Sequence, residues 1–239
     1  MSAHGSRIGL MLYSVREACA RDFEGTLREV AGMGYQGVEL FDLHGHEPEE
    51  VGAWLSELAL EPAGRHASLE AIEGDLDELA AEARAVGWRR LVVNWIDPAI
   101  LGDGILDRLT VAACPVRAAG LELGFHNHDA EVRTGFVDRL PPDVFLELDA
   151  GWAWWAEADP VELLGRGPLV HIKDFRVRGG EPQFCPVGDG AVGFDRIAPA
   201  AVRAGTAWLL VEQDRTAGSE IDDARRSLAA LRGMLEVAA

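Results

Sequence analysis

Lysine is nearly absent from this chain: of its 22 Lys and Arg residues, all but Lys173 are arginine. So strong a bias is first of all compositional, and it singles out the one position where lysine survives. Long apolar runs are also missing, since no stretch approaches the roughly 18 to 20 residues of a membrane span. That excludes an integral helical membrane protein. Cysteine is scarce, and Cys19, Cys114 and Cys185 are odd in number, far apart and without a CxxC pair, so neither a disulfide framework nor a zinc knuckle is expected. Positive charge is short as well: 22 basic residues face 40 acidic ones, for a formal net charge of −18. Such a field repels phosphate backbones and argues against a nucleic-acid partner or an anionic membrane surface. The segment Met1 to Arg7 is short and polar, without the charged and then apolar layout of a signal peptide. Together with the unpaired cysteines, this sets the expectation of a cytoplasmic protein.

What is present is a regular alternation. The 239 residues, 48% of them hydrophobic, suffice for one large domain with a sizeable core. Short apolar runs, expected as strands, span Ile8 to Leu12, Gly37 to Leu40, Pro62 to His66, Leu91 to Asn94, Leu121 to Phe125, Val144 to Leu148, Leu169 to Ile172 and Trp208 to Val211. Between them Phe23 to Met33, Pro48 to Ala59, Leu69 to Val86 and Ile105 to Ala119 carry apolar residues at spacings of three and four, the pattern of amphipathic helices. Gly34, Gly87 and Gly120 stand where a left-handed C′ residue would end a helix, and Asp159 before Pro160 suits an N-cap. Continuously apolar strands separated by helices predict a parallel sheet covered by helices. Eight such units in one chain predict a single-domain (β/α)8 TIM barrel spanning residues 1–239, close to the usual length of about 250. The fifth unit is the thinnest, with only Gly135 to Leu140 left for its helix before Pro141 and Pro142.

In such a barrel the chemistry sits where strands end and loops begin. Polar residues gather there: Glu39 on strand 2, His66 on strand 3, Asn94 on strand 4, His126-Asn127-His128-Asp129 with Glu131 after strand 5, Asp149 on strand 6, His171, Lys173 and Asp174 on strand 7, and Glu212, Gln213 and Asp214 on strand 8. Imidazoles and carboxylates converging from separate strands are the ligand types that hold Mn²⁺, Co²⁺ or Zn²⁺ and leave positions for substrate oxygens. Taken singly, His66 reads better as a hydrogen-bonded structural residue. His126 and His128 lie two apart, so one can be a ligand and the other its support. Lys173 follows His171 by two residues and faces the same interior, where an ammonium is costly unless paired or used. Trp152, Trp154 and Trp155 offer flat faces for a sugar ring, or else packing at an interface. The loop Pro186 to Gly193 is glycine-rich, near where barrels often bind phosphate.

At these residues the sequence resembles the sugar phosphate isomerase/epimerase family of xylose isomerase-like TIM barrels. The stretches that carry the resemblance include Ile8 to Arg16, Gly34 to Leu40, Phe125 to Glu131, Leu148 to Trp152, His171 to Asp174, Val187 to Gly190 and Val211 to Asp214, in the family's order across almost the whole chain. The resemblance implies a divalent metal held by a strand-5 residue, Asp149, His171 and Glu212. Many relatives place a glutamate on strand 5, whereas here His126 stands, with His128 as the other candidate at that position. It further implies a small-molecule sugar or polyol substrate, contacted by Glu39, Glu131, Trp152 and Arg16. Proton removal beside a carbonyl would use Glu212 or one of the two histidines as base, with Lys173 steadying the negative charge. Isomerisation or epimerisation is the expected outcome. The alternatives are loss of a β-substituent from an inosose or 3-keto-glycoside, a non-catalytic sugar-binding barrel, and an endonuclease-like metalloenzyme. Homo-oligomers are common in the family.

Overall fold

The computed structural model describes residues 6–238. Residues 1–5, most of the polar opening segment discussed above for export, lie outside that range. In chain order the strands are β1 (Arg7–Met11), β2 (Gly37–Leu40), β3 (Glu61–Ala67), β4 (Arg90–Val93), β5 (Glu122–His126), β6 (Val144–Asp149), β7 (Leu169–Ile172), β8 (Asp174–Arg178), β9 (Glu181–Cys185) and β10 (Trp208–Val211). Eight of them close a barrel in the order β1-β10-β7-β6-β5-β4-β3-β2, with parallel pairing at every step. Each matches one of the eight apolar runs to within a residue or two. The fold is therefore the single-domain α/β TIM barrel that the alternation predicts. No helix among the described residues is long and apolar enough to cross a membrane.

The helical units vary more than the strands. Leu69 to Val86 forms two helices, Leu69–Gly74 and Leu76–Val86, broken at Asp75. The thin fifth unit holds a five-residue helix, Asp129–Arg133, and a 3-10 turn at Val137–Arg139. Gly34 and Gly87 take the left-handed conformation at their helix ends, as their placement predicts. Asp159 accepts a hydrogen bond from the Val161 amide, capping a 3-10 turn rather than a full helix.

Alternation along each strand builds two separate interiors. Val144, Leu146 and Leu148 face the surrounding helices, while Phe145 joins Ala63, Val92, Leu169, Trp208 and Leu210 in a second cluster inside the barrel. Burying each large side chain of this cluster contributes about 1.5–3 kcal/mol. The Trp208 indole lies so close to β2 that a Cβ on Gly37 would come within 2.4 Å of it and 2.2 Å of the Glu61 carbonyl, so glycine is required there. This apolar plug fills one end of the barrel. The inward positions beyond it, toward the C-terminal strand ends, are polar, and there lies the candidate site.

Candidate metal centre

Two layers of ionisable side chains sit above the plug. The deeper one contains Glu39, His66, Glu147 and His171, the outer one His126, Asp149, Lys173 and Glu212, and all are buried. Strand register sets their proximity: His126 pairs with Glu147 across β5 and β6, and Asp149 pairs with His171 across β6 and β7. His171 is held from both sides, Nε2 lying 2.7 Å from Glu39 Oε2 and Nδ1 lying 2.7 Å from Glu212 Oε2. His126 Nδ1 is 3.0 Å from Glu147 Oε2, and its Nε2 faces Asp149 Oδ2 at 3.7 Å. Lys173 Nζ lies 3.1 Å from Asp149 Oδ2, 3.0 Å from Glu212 Oε2 and 3.0 Å from Asp214 Oδ1.

This cluster is short of positive charge. Glu39, Glu147, Asp149, Glu212 and Asp214 face a single ammonium and histidines that need protons to help. The consequences appear group by group. Burial pushes Glu39 up to about 7, helped by the Glu147 charge beside it. Burial likewise takes Asp149 to about 6, with Glu212 adding to it and Lys173 opposing. Burial would lower His171, but Glu147, Glu212 and Glu39 outweigh it and hold the imidazole well above its ordinary value. Burial also opposes the Lys173 charge, yet Asp149, Glu212 and Asp214 hold it well above the usual lysine range. His126 is pushed well down, chiefly by burial, and His128 falls to about 4 through burial and the Lys173 charge. Buried carboxylates in excess of their cations are the condition a bound divalent ion relieves.

The donor atoms fit such an ion. His126, Asp149, His171 and Glu212 each offer one atom, all within 4.8 Å of one another, and Asp149 Oδ2 is buried without a hydrogen-bond partner. His66, His126, Glu147 and His171 meet the same distance condition. The two groups share both His126 and His171, through opposite ring nitrogens, so a neutral imidazole serves one or the other. Both groups reach the same cavity of about 600 Å³, the outer one through His126 and Glu212 and the deeper one through His66 and His126, while Asp149, Glu147 and His171 are fully buried. The outer group is the one whose carboxylates, Asp149 and Glu212, stand at the C-terminal ends of barrel strands. Two imidazoles and two carboxylates suit Mn²⁺, Co²⁺ or Zn²⁺.

No protein-family model matches the chain, and no curated protein matches it. Solved structures do. A sugar phosphate isomerase/epimerase from Parabacteroides distasonis superposes with a TM-score of 0.79 at 20% identity, over 94% of this chain and 97% of the other. This chain has the xylose isomerase-like TIM-barrel fold. An L-ribulose 3-epimerase aligns with a TM-score of 0.71 at 17% identity, over 98% of this chain and 95% of that one. A xylose isomerase-like TIM-barrel protein from Mycobacterium smegmatis, in complex with magnesium, aligns with a TM-score of 0.68 at 15% identity, over 99% and 98% of the two chains.

Within this xylose isomerase-like barrel the expected site residues separate. His126, His128, Trp152, Lys173, Glu212 and Arg16 line the cavity. Asp149 and His171 are fully buried behind His126 and Glu212 and, like Glu39 and Glu131, are outside the lining itself. Glu39 and Glu131 are not among the lining residues: Glu39 lies behind His171, and Glu131 Oε2 accepts from the His128 amide at the start of the helix Asp129–Arg133. His128 has left the strand; it precedes that helix, its ring 5.9 Å from Trp152 and its Nδ1 buried without a partner. Trp154 and Trp155 border a separate surface hollow instead. Asn127 clamps the backbone of Asp149 from behind, its Oδ1 accepting from the Asp149 amide at 3.0 Å while its Nδ2 donates to the Asp149 carbonyl.

Three features escape the sequence-level expectations. Glu147 went unnoticed inside an apolar run, although its parity with Asp149 on β6 aims it inward. His66, taken as structural, joins the deep layer with Nε2 2.6 Å from Glu147 Oε2. The β8–β9 hairpin, signalled only by Gly179-Gly180 between two extended runs, brings Glu181, Pro182 and Phe184 to the cavity wall. The glycine-rich loop, by contrast, is committed to an internal anion. Asp174 Oδ2 accepts from the Gly188 and Gly190 amides, and Oδ1 from those of Phe175 and Val192. That nest is filled by the protein's own carboxylate, which removes the case for phosphate. A Cβ on Gly190 would lie 2.0 Å from Asp174 Oδ1. Gly190→Ala should break at least one of these charged hydrogen bonds and cost about 1.5–3 kcal/mol in urea unfolding. An unchanged unfolding curve would show that the nest is not needed.

Proposed function

We propose that this protein is a divalent-metal-dependent isomerase or epimerase of a small sugar or polyol, acting by proton removal from carbon beside a carbonyl. The observation that carries this reading is the clustering of His126, Asp149, His171 and Glu212, one donor atom from each within 4.8 Å of the others, with His126 and Glu212 bordering an open cavity. The structural neighbours bearing isomerase and epimerase names support the same class of chemistry. A divalent ion bound there would supply Lewis acidity to a substrate carbonyl and an adjacent hydroxyl as negative charge develops in the enediolate.

The protein's own groups do the rest. Glu212 borders the cavity and is placed to take the proton beside the carbonyl and, once protonated, to return it, and neutral His128, with Nδ1 unpartnered, borders the same cavity as the second candidate base. Lys173 directs an ammonium into the same space and favours the negative charge of the intermediate. Trp152 walls the cavity with an apolar face suited to a sugar ring, and its ring also covers the Lys173 ammonium at 5.6 Å. Arg16 is held at the rim, its Nη1 donating to the Tyr13 carbonyl and its guanidinium stacked 4.4 Å over the Tyr13 ring.

The decisive assay incubates metal-loaded protein with a panel of ketoses and inosose-type ketones in D2O and follows mass and proton spectra. Deuterium should enter at carbon beside the carbonyl, only with metal present. Loss of water in the same spectra would redirect the reading to a dehydratase using the same site. A panel without any exchange would overturn it.

A further inference from the structure

Both ligand histidines are backed by carboxylates that no substrate can reach. We propose that Glu147 is the positioning residue that makes His126 a metal donor, and that Glu39 does the same for His171. The inference rests on the metal reading above. A neutral imidazole carries one N–H and one lone pair, and the nitrogen that donates a hydrogen bond leaves the other free to coordinate. His126 donates from Nδ1 to Glu147 Oε2 at 3.0 Å, which puts its lone pair on Nε2, the nitrogen facing Asp149. His171 is turned the other way. Carboxylates lie 2.7 Å from both of its nitrogens, Glu39 Oε2 at Nε2 and Glu212 Oε2 at Nδ1; with Nε2 kept as the donor to Glu39, Nδ1 is the nitrogen that would give up its proton and take the metal beside Glu212. The two buried carboxylates thus select opposite tautomers in the two rings. Only that combination lets both lone pairs converge on one point.

Glu147 does more than orient one ring. Its Oε2 also lies 2.6 Å from His66 Nε2 and 3.3 Å from His171 Nε2, so three imidazoles meet on a single oxygen. His66 and His171 are stacked there, 5.5 Å apart and 8° from parallel. Glu147 and Glu39 are both fully buried, and neither borders the cavity, so neither can touch substrate. His126 and Glu147 are also register partners. A carboxylate at position 126 would therefore face Glu147 in a closed space, where two like charges cannot both ionise without cost. The geometry makes the pair a unit: a histidine on β5 requires an acid at its partner position on β6.

The test uses the full-length protein and Zn²⁺. In the zinc-loaded wild type, long-range ¹⁵N–¹H spectra of the imidazoles should show His126 protonated at Nδ1 and His171 at Nε2. Either ring in the reverse tautomer would overturn the proposal, whatever any variant does. Glu147→Gln should keep the metal-free unfolding midpoint near that of the wild type, bind Zn²⁺ about 10- to 100-fold more weakly in competition with a chelator, and give mixed His126 tautomers. A merely structural Glu147 would lower the midpoint and leave the affinity of the folded protein unchanged. The double variant His126→Glu with Glu147→Gln should bind Zn²⁺ more tightly than His126→Glu alone, because it removes the facing charge. Unchanged Zn²⁺ affinity in Glu147→Gln overturns the proposal while the metal site stands, provided Asp149→Asn has lost its zinc. If Asp149→Asn binds zinc like the wild type, the metal reading falls and this proposal falls with it.

Discussion

Asp149→Asn is expected to leave the barrel folded and to abolish metal binding, with affinity falling by more than the roughly 100-fold that loss of an outer-shell partner can cause. The two carboxylate oxygens have separate duties. Oδ1 accepts from the Trp152 amide at 2.8 Å and caps the following short helix, a duty asparagine performs about as well. Oδ2 has no hydrogen-bond partner and faces His126 Nε2 and the Lys173 ammonium. An amide there brings N–H donors or a neutral oxygen to a point where a cation needs an anionic one. The backbone of Asp149 stays clamped by Asn127 in either case. Folding should not suffer, since burial already pushes the Asp149 carboxyl up to about 6 and the neutral side chain removes that burden. Metal analysis after dialysis, together with calorimetric titration of Mn²⁺ and Zn²⁺, checks the prediction. Stoichiometric metal in this variant would remove Asp149 from the site.

Lys173→Met should be the most destabilising single change at the mouth. The ammonium is 1% exposed and lies within 3.1 Å of three carboxylates, those of Asp149, Glu212 and Asp214. Removing one partner of a buried ion pair costs about 3–5 kcal/mol, because the charge left behind has no compensation. For a chain of this size that lowers the melting temperature by on the order of 6–20 °C. The metal-free protein should bear the full loss. Added Mn²⁺ or Zn²⁺ should recover part of it, since a cation can replace the missing charge and binds only the folded state. Differential scanning calorimetry with and without metal measures both effects. A variant that melts like the wild type without metal would mean that the three carboxylates take up protons at little cost. Arginine is not a safe replacement, because its wide planar fork does not match the compact ammonium held among Asp149, Glu212 and Asp214.

The barrel was legible because its signal is local and repeated. Eight apolar runs with helical stretches between them predict strands, and each of the eight barrel strands falls on one of them. The outer site was legible for a related reason: Asp149, His171, Lys173 and Glu212 stand at the ends of predicted parallel strands, and parallel strands bring their C-terminal ends to one rim. Legibility failed where a role depends on a partner across the barrel. Glu39 looked like a substrate contact, yet its position is set by His171, 132 residues away in the chain. The glycine-rich loop had the composition of a phosphate cradle, but Asp174 already fills it. The β8–β9 hairpin, between Asp174 and the glycine-rich loop, went unread.

By itself, then, the sequence determined the class of fold, the rim where ionisable groups collect, and the identity of the one lysine among them, because periodicity and strand polarity are properties of short stretches. Tertiary structure alone decided which carboxylate faces each nitrogen of His126 and His171, that Glu147 and Glu39 are among them, and that Lys173 is shared among three carboxylates. Those outcomes depend on side chains from different strands meeting at hydrogen-bond distance, and strand register rather than local pattern decides which of them meet.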